Sequence, residues 1–329
     1  MRPLAITLGD PAGIGAEVVL ESLRELDPAQ PVWLFGSWKY ASSTPGSDEV
    51  LAGFARLQRL PEDGGEARRS FIDVGQPDSA PLEPGQMSAD YGRVALDSIE
   101  QSLEAMRKHR CTALVTAPIH KQAIAAAGSP FPGHTELLAA DSGLAIYGRD
   151  YAMYFESPRL RTVLLTVHQP LAEAIASIEQ GQIADLATLT DREYRRLHGN
   201  PPRIAVAGVN PHAGEGGLFG DEELVIAQGV EEARARGINV SGPHAPDTVF
   251  LNASRGKYDV VMAMYHDQGL IPIKTLDFEQ SVNVTIGLPY LRVSVDHGTA
   301  FDIAGKGVAD ARPMRFAIQW ALRHGERRG

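Results

Sequence analysis

The sequence lacks the features of secreted, membrane-spanning and nucleic-acid-binding proteins. Its 329 residues include a single cysteine, Cys111, so no disulfide can form within the chain, and a reducing compartment suits it. No apolar run is long enough to cross a membrane, and Asp10 interrupts the short apolar stretch near the start, which excludes a signal peptide. The net charge of −10 disfavours a nucleic-acid surface, because such surfaces carry a basic excess. We expect a soluble, cytoplasmic protein with no nucleic-acid or membrane partner.

The composition and the pattern of apolar residues predict an α/β protein. Hydrophobic residues make up 43% of the chain and charged residues 22%, as in ordinary globular proteins. At 329 residues the chain exceeds the size at which single cores stop growing, so two domains are expected. Short apolar runs alternate with amphipathic helical patterns such as residues 88–108, which favours a largely parallel sheet. Cys111 opens one apolar run, so we expect a buried, inert thiol.

Three of the predicted strands are followed closely by a histidine. The clearest is Val260–Met264, an apolar run typical of a buried parallel strand, which leads into Tyr265, His266 and Asp267. His168 and His212 have the same placement after other strands. Because the carboxyl ends of parallel strands meet at one edge, these imidazoles could share a divalent cation and leave one coordination position open. Each histidine alone would more often be a capped surface or core residue.

A second group of residues suits a phosphate or carboxylate. His134 and Thr135 open a predicted helix, whose N-terminus favours anions, and Thr135 is placed to cap that helix. Further along, polar or cationic residues are set among apolar residues of predicted strands: Lys274, Asn283 and Arg292. Arginine offers a planar fork and lysine a point charge for a phosphate, although each alone would more often form a surface ion pair.

Two glycine-containing loops are candidates for close approach to a ligand. Residues 9–15 follow the first predicted strand, but Val18 stands where a dinucleotide-binding fingerprint has its third glycine, so this is not a Rossmann motif. The pattern leaves open a plain tight turn or a loop whose amides face a ligand. Residues 296–307 combine small polar side chains with glycines, again at the end of a predicted strand.

Long motifs in the chain resemble those of the 4-hydroxythreonine-4-phosphate dehydrogenase family. The segments that carry the resemblance are GDPAGIG, TAPIHK, PGHTE, GVNPHAGEGGLFGDEE, YHDQGLIPIK and VNVTIGLPYLRVSVDHGTAFDIAGKG. Biosynthetic members of this family often read Gly-Glu-Pro-Ala-Gly-Ile-Gly-Pro near the start, where this chain has Asp10 and Ala16. Paralogues acting on phosphorylated four-carbon sugar acids or aromatic dihydrodiols share most of the same motifs.

The resemblance implies a two-domain α/β fold like that of isocitrate and isopropylmalate dehydrogenases. The cofactor-side domain would comprise residues 1–130 and 297–329, and the metal, substrate and dimerisation domain residues 131–296. The family's active site lies at the interface of a homodimer. The resemblance therefore implies a second copy of the chain as a partner.

The resemblance also assigns roles to individual residues. The divalent metal (zinc, magnesium or cobalt) would be held by histidines from both subunits: His168, His212 and His266. The substrate would be bound by His134, Thr135, Lys274, Asn283 and Arg292. NAD or NADP would be bound by the loop containing Asp296, His297, Gly298, Thr299, Ala300 and Asp302. Candidates for proton transfer or for orienting the metal ligands are Asp247 and Asp267.

The activity implied is the metal- and NAD(P)-dependent oxidation of 4-phosphooxy-L-threonine, followed by decarboxylation to 3-amino-2-oxopropyl phosphate, in pyridoxal phosphate biosynthesis. One alternative is a paralogous dehydrogenase for 4-phospho-D-threonate, the corresponding erythronate or an aromatic cis-dihydrodiol. Another is a metal-dependent phosphate-ester hydrolase, because three histidines beside a phosphate pocket would also suit hydrolysis. A third is a metabolite-binding protein without turnover.

Overall fold

Strands and helices alternate along much of the chain. The computed structural model describes residues 2–61, 68–75 and 82–325. The strands within these ranges are β1 Leu4–Thr7, β2 Val32–Gly36, β3 Ala55–Leu57, β4 Arg69–Asp73, β5 Ala113–Thr116, β6 Ala152–Glu156, β7 Arg161–Leu164, β8 Ile204–Ala207, β9 Val240–His244, β10 Val260–Ala263, β11 Val282–Ile286 and β12 Leu291–Ser294. The helices are α1 Gly15–Arg24, α2 Trp38–Ser42, α3 Ser47–Leu51, α4 Ala89–Arg107, α5 Lys121–Ala126, α6 His134–Asp141, α7 Leu171–Ala176, α8 Gln180–His198, α9 Glu222–Ala235, α10 Pro246–Ser254, α11 His266–Asp277 and α12 Arg312–Gly325. Short 3-10 turns span Pro211–Gly217 and Phe278–Gln280.

The chain divides into two compact units. The first consists of residues 1–138 and 290–329, and the second of residues 139–289. The domains predicted from the sequence include residues 62–67, 76–81 and 326–329, which lie outside the described residues. Their assignment as cofactor-side and metal-binding domains stays a prediction.

The first unit has a parallel sheet in the order β3-β4-β2-β1-β5-β12. Its central strands are buried along their whole length, as expected when helices cover both faces of a parallel sheet. Helix α12 buries Met314, Ala317, Ile318 and Ala321, a spacing that places them on one face. Cys111 lies just before β5, where burial raises its thiol pKa to about 12, so the thiol stays protonated at neutral pH.

The second unit has a mixed sheet in the order β11-β6-β7-β10-β8-β9. The four strands β7, β10, β8 and β9 run parallel, while β6 is antiparallel to both β7 and β11. In the core of this unit, Phe155, Leu164 and Val261 of the sheet pack with Val249 of α10 and Ile273 of α11. The prediction of an α/β fold with largely parallel sheets flanked by helices is confirmed.

The prediction made from the sequence was wrong about one element. Lys274 was expected among strand residues, but it lies on helix α11, which continues through Pro272. The apolar residues around Pro272 do not alternate with a strand's period: Leu270 and Ile273 are buried three residues apart, as on a helix face.

Among the described residues, none of the helices has the length and apolar character needed to cross a bilayer.

A pair of matched glycine substitutions tests the close packing of helices α4 and α5. A Cβ added at Gly92 on α4 would lie 2.1 Å from the backbone oxygen of Ala123 on α5, whereas one added at Gly181 on α8 meets nothing within 4 Å. Gly92→Ala should lower the free energy of unfolding by about 1–3 kcal/mol, because overpacking forces the helices apart. Gly181→Ala should leave it unchanged or raise it by up to about 1 kcal/mol. Urea denaturation measures both, and equal effects of the two substitutions would contradict the packing.

Candidate active site

The three predicted metal ligands follow three neighbouring parallel strands. His168 follows β7, His266 follows β10 and His212 follows β8. Strand β10 lies between the other two, pairing Val261 with Thr162 of β7 and Val260 with Ile204 of β8. The loops that carry the histidines therefore leave the sheet at the same edge, as the sequence indicated.

His168 and His266 lie side by side. Their ring centroids are 5.5 Å apart with the planes inclined at 43°. Two imidazoles bound to one cation, with metal–nitrogen distances of about 2.1 Å and a near-tetrahedral angle, have ring centroids about 5 Å apart, so this pair fits a shared divalent ion. In the described part of the chain, the ligand atoms of all three histidines do not fall within 4.8 Å of one another. The structure thus brings two of the three together.

Asp267 orients one of these rings. Its Oδ1 lies 2.7 Å from Nδ1 of His266. An ionised carboxylate can only accept a hydrogen bond, so Nδ1 carries the proton and Nε2 keeps the lone pair that a metal needs. This contact supports the orienting role considered for Asp267 in the sequence. Asp247 lies exposed in the first turn of α10, and its role in proton transfer stays a prediction.

His212 lies in a loop with unusual backbone geometry. His212, Ala213 and Glu215 have φ angles of 54°, 54° and 45°, in the left-handed region that non-glycine residues rarely adopt. The buried carboxylate of Glu223 accepts hydrogen bonds from the backbone N–H groups of Val209 and Asn210 at 2.9 and 2.7 Å. These bonds hold the start of the loop against α9 and offset part of the backbone strain.

The paired histidines line a pocket of about 440 Å³ on the second unit. The pocket extends from Val167 to Leu171 on one side and from Tyr265 to Asp267 on the other. His168 and His212 are exposed in the single chain and His266 is half-buried. The histidine donors of this unit are therefore accessible to an incoming ion and ligand.

The first unit holds a buried cation beside a neutral imidazole. Arg292 on β12 is 2% exposed, and its Nη2 donates to Oγ1 of Thr116 at 2.7 Å. Burial lowers its pKa to about 10, so it remains charged at neutral pH. Burial, and then the charge of Arg292, hold the pKa of His134 well below 6.5. A buried guanidinium next to neutral His134 suits an anionic ligand.

Three further predicted binding residues are placed as follows. Helix α6 begins at His134, so Thr135 lies inside its first turn, and the prediction that Thr135 caps the helix is wrong. Asn283 is buried on β11, where its Oδ1 has no hydrogen-bond partner among the described residues. Lys274 lies on α11 with its Nζ 6.0 Å from the centre of the Phe278 ring. Nε2 of His134, like Oδ1 of Asn283, is buried without a hydrogen-bond partner among the described residues. Buried polar atoms of this kind are expected to bind a ligand or water.

The two glycine-containing loops of the first unit touch each other. The N–H of Ile14 donates to the carbonyl oxygen of Thr299 at 3.0 Å, and a Cβ at Gly13 would lie 3.0 Å from the same oxygen. Phe301 stacks on His120 with ring centroids 4.7 Å apart. The loop at residues 9–15 thus contacts the predicted cofactor loop through its backbone, and the suggestion that its amides face a ligand stays a prediction.

Asp10 is a buried acid within the first of these loops. It is 1% exposed, and its Oδ1 accepts a hydrogen bond from the N–H of Ala12 at 2.9 Å. Burial raises its pKa from 3.8 to about 6, opposed by the bond from Ala12 and by nearby His120.

The sequence did not reveal three side chains that hold the loops of the second unit in place: Thr166, Glu223 and Gln268. Their contacts join segments distant along the chain, so no local pattern could have identified them.

The α/β fold, the paired imidazoles and the buried guanidinium define a protein suited to bind a cation and an anionic small molecule. Residues 41–321 match the family described as pyridoxal phosphate biosynthetic protein PdxA. The chain belongs to this family.

Named relatives agree with this assignment. The chain is 43% identical to a 4-hydroxythreonine-4-phosphate dehydrogenase of Beijerinckia indica, over 98% of this chain and 95% of the relative. It is 40% identical to a D-threonate 4-phosphate dehydrogenase of Pectobacterium atrosepticum, over 97% and 98%. A crystal structure of a 4-hydroxythreonine-4-phosphate dehydrogenase from Klebsiella pneumoniae superposes with a TM-score of 0.85 at 39% identity, covering 99% of this chain and 100% of that one.

The pH dependence of stability tests the burial of Asp10. Below pH 3.8 the carboxyl is protonated in both the folded and the unfolded state, so its ionisation does not change the free energy of unfolding. Between pH 3.8 and about 6 only the unfolded state ionises, and above about 6 the folded state bears the full cost of a buried charge, about 3 kcal/mol. Asp10→Asn should therefore become progressively more stable than the wild type as pH rises from 4 to 7. Urea denaturation across this range measures the difference, and a constant difference would contradict the assignment.

Proposed function

We propose that this chain oxidises a phosphorylated hydroxy acid and then releases carbon dioxide from the product. The preferred substrate is 4-phosphooxy-L-threonine, and the product is 3-amino-2-oxopropyl phosphate. Hydride passes to NAD or NADP, and the carboxylate is lost from the resulting β-keto acid. The observation that carries the proposal is the pairing of His168 with His266, whose ring is hydrogen-bonded to Asp267 of the YHDQG motif.

The proposed metal ligands are His168, His212 and His266. A divalent cation at this position would supply Lewis acidity to the reacting hydroxyl and to the oxygen that gains charge as carbon dioxide leaves. The chain's own contribution is to hold the imidazoles in the correct orientation. Asp267 does this for His266 by fixing the proton on Nδ1.

Five residues are proposed to bind the substrate: His134, Thr135, Lys274, Asn283 and Arg292. Arg292 supplies a buried fork for the phosphate that is charged at neutral pH, and Lys274 supplies a second positive charge. A phosphate held away from the reacting carbon orients that carbon and reduces the entropic cost of reaction. Neutral His134 and the amide of Asn283 are suited to hydrogen bonds with the hydroxyl or phosphate oxygens.

The proposed nicotinamide cofactor site is the loop containing Asp296, His297, Gly298, Thr299, Ala300 and Asp302. Its contact with the loop at residues 9–15 supports this, because that contact places a second glycine-containing loop beside it. A Cβ at Gly298 would meet nothing within 4 Å, so the approach there is free of side chains. The choice between NAD and NADP is left to experiment.

The active site is proposed to lie at the interface of a homodimer. The exposed position of His168 and His212 in the single chain supports this, since metal donors usually become shielded when a site is complete. Large exposed apolar residues on the second unit are candidates for that interface, because an interaction site covers apolar surface. Within the described residues they are Ile146, Leu171, Leu218, Phe219, Leu224, Leu251, Ile271 and Phe278.

A second candidate is a dehydrogenase for 4-phospho-D-threonate or its erythronate isomer. The relative from Pectobacterium atrosepticum favours it, because it is named for such a substrate at similar identity. A dehydrogenase for an aromatic cis-dihydrodiol and a metal-dependent phosphate-ester hydrolase are further alternatives. Buried Arg292 disfavours an uncharged dihydrodiol, which has no anionic group to pair with that charge.

A single absorbance assay separates these functions. Purified protein with cobalt, zinc or magnesium and either nicotinamide should reduce the cofactor with 4-phosphooxy-L-threonine and release carbon dioxide. Faster turnover of 4-phospho-D-threonate would assign the second candidate, and phosphate release with no absorbance change would assign the hydrolase. His266→Ala and thorough chelation should each abolish turnover. Full activity after chelation would contradict the metal-dependent mechanism.

Replacement of Arg292 tests the phosphate site. Arg292→Met should raise KM about 10- to 100-fold, since a lost charged hydrogen bond weakens binding by about 1.5–3 kcal/mol, with a smaller change in kcat. The matched control is Arg315→Met, which removes another arginine of the same unit, ion-paired with Glu25 at 2.8 Å. Steady-state kinetics at varied substrate measure both variants. An unchanged KM in Arg292→Met would remove this residue from the site.

A further inference from the structure

Two buried polar side chains join the loops that carry the histidines. Oγ1 of Thr166 donates to the carbonyl oxygen of Met264 at 2.8 Å. Oε1 of Gln268 accepts from the N–H of Met264 at 2.7 Å, and its Nε2 donates to the carbonyl oxygen of Gly208 at 2.7 Å. Thr166 is 8% exposed and Gln268 is 7% exposed. The bonds therefore form out of water, where an unmade bond is costly.

These bonds lie beyond the ends of the sheet. The β7–β10 ladder ends at Leu164 and Ala263, and β8 ends at Ala207. One more backbone bond, from the N–H of Leu165 to the carbonyl oxygen of Ala263 at 2.8 Å, joins the two strands. Past that bond the ladder no longer fixes the distance between the backbones. Gln268 takes over that role between Met264, two residues before His266, and Gly208, four residues before His212.

Glutamine is suited to this position by its chemistry. One terminal amide must accept from an N–H and donate to a carbonyl oxygen at the same time. Glutamate cannot donate when ionised, and methionine can do neither. The following residue, Gly269, allows the helix to approach β7, since a Cβ there would lie 2.4 Å from Leu164 Cδ2. Gln268 is thus held deep against the strand ends.

We propose that Gln268 is a positioning residue for the histidine donor set. It fixes the separation between the loop that carries His266 and the loop that carries His212, while Thr166 ties the His168 loop to the carbonyl oxygen of the same residue, Met264. Without Gln268 the two loops separate, and the position of His212 relative to His266 is no longer fixed. This inference rests on the proposed function, because it concerns the metal ligands assigned there.

The test measures cobalt(II) affinity, by competition with a chelating dye, and the visible absorption spectrum of the cobalt-loaded chain. Gln268→Met should weaken cobalt binding at least about tenfold and change the spectrum, as loss of a residue that supports a metal ligand typically does. Gln268→Asn keeps the amide but shortens its reach, so it should also weaken binding, and it decides the question if the methionine variant does not fold. All measurements are made well below the unfolding temperature of each variant.

The control is Thr190→Val, which removes a buried hydrogen bond to Leu186 on helix α8 of the same unit. It should lose stability while keeping wild-type cobalt affinity and spectrum. If a folded Gln268 variant binds cobalt within twofold of the wild type with the same spectrum, Gln268 has no positioning role. If the wild type itself binds neither cobalt nor zinc nor magnesium, the metal-dependent proposed function fails, and the inference fails with it.

Discussion

The parallel pairing of β7, β10 and β8 is the constraint on which the candidate active site depends. Because all three strands run in one direction with fixed registers, their following loops leave the sheet at a common edge. Each of these loops carries one of the predicted metal ligands. The 5.5 Å separation of His168 and His266 is a direct consequence of the adjacency of β7 and β10. Buried bonds from Thr166 and Gln268 then continue the sheet's alignment into the loops.

The α/β class and many elements could be predicted from the sequence, because buried parallel strands are short apolar runs and surface helices are amphipathic. Helix α4 and strand β10 were predicted within a residue of their observed ends. The apolar residues around Lys274 misled the prediction, because four to six apolar residues interrupted by a proline fit a strand or a buried helix equally well. The prediction that Thr135 caps helix α6 was wrong because the helix begins at His134, which places Thr135 inside the first turn.

The candidate site could be predicted only in part. A histidine after each apolar strand is visible in the sequence, but the strand order that makes β10 the neighbour of both β7 and β8 is not. Gln268 directly follows His266 and Asp267, which are titratable and therefore stand out as candidates for a site. Its two hydrogen-bond partners, Met264 and Gly208, are 4 and 60 residues away along the chain. Contacts of that kind depend on the tertiary fold and leave no local periodicity.

The first unit shows a different use of burial. Three titratable groups of this unit are buried: Asp10, His134 and Arg292. Burial raises the pKa of Asp10 and lowers the pKa of His134 and of Arg292, and each shift favours the uncharged form. Such groups reduce the stability of the empty protein. A bound anion would offset that cost at Arg292 by pairing with its charge.

The most direct test of the central claim is a crystal structure of the cobalt-loaded chain, with diffraction data collected on both sides of the cobalt absorption edge. The account predicts an anomalous peak about 2.0–2.2 Å from imidazole nitrogens of His168, His212 and His266, with at least two of them from one chain. An anomalous peak bound by other residues, or none at this edge of the sheet, would contradict it.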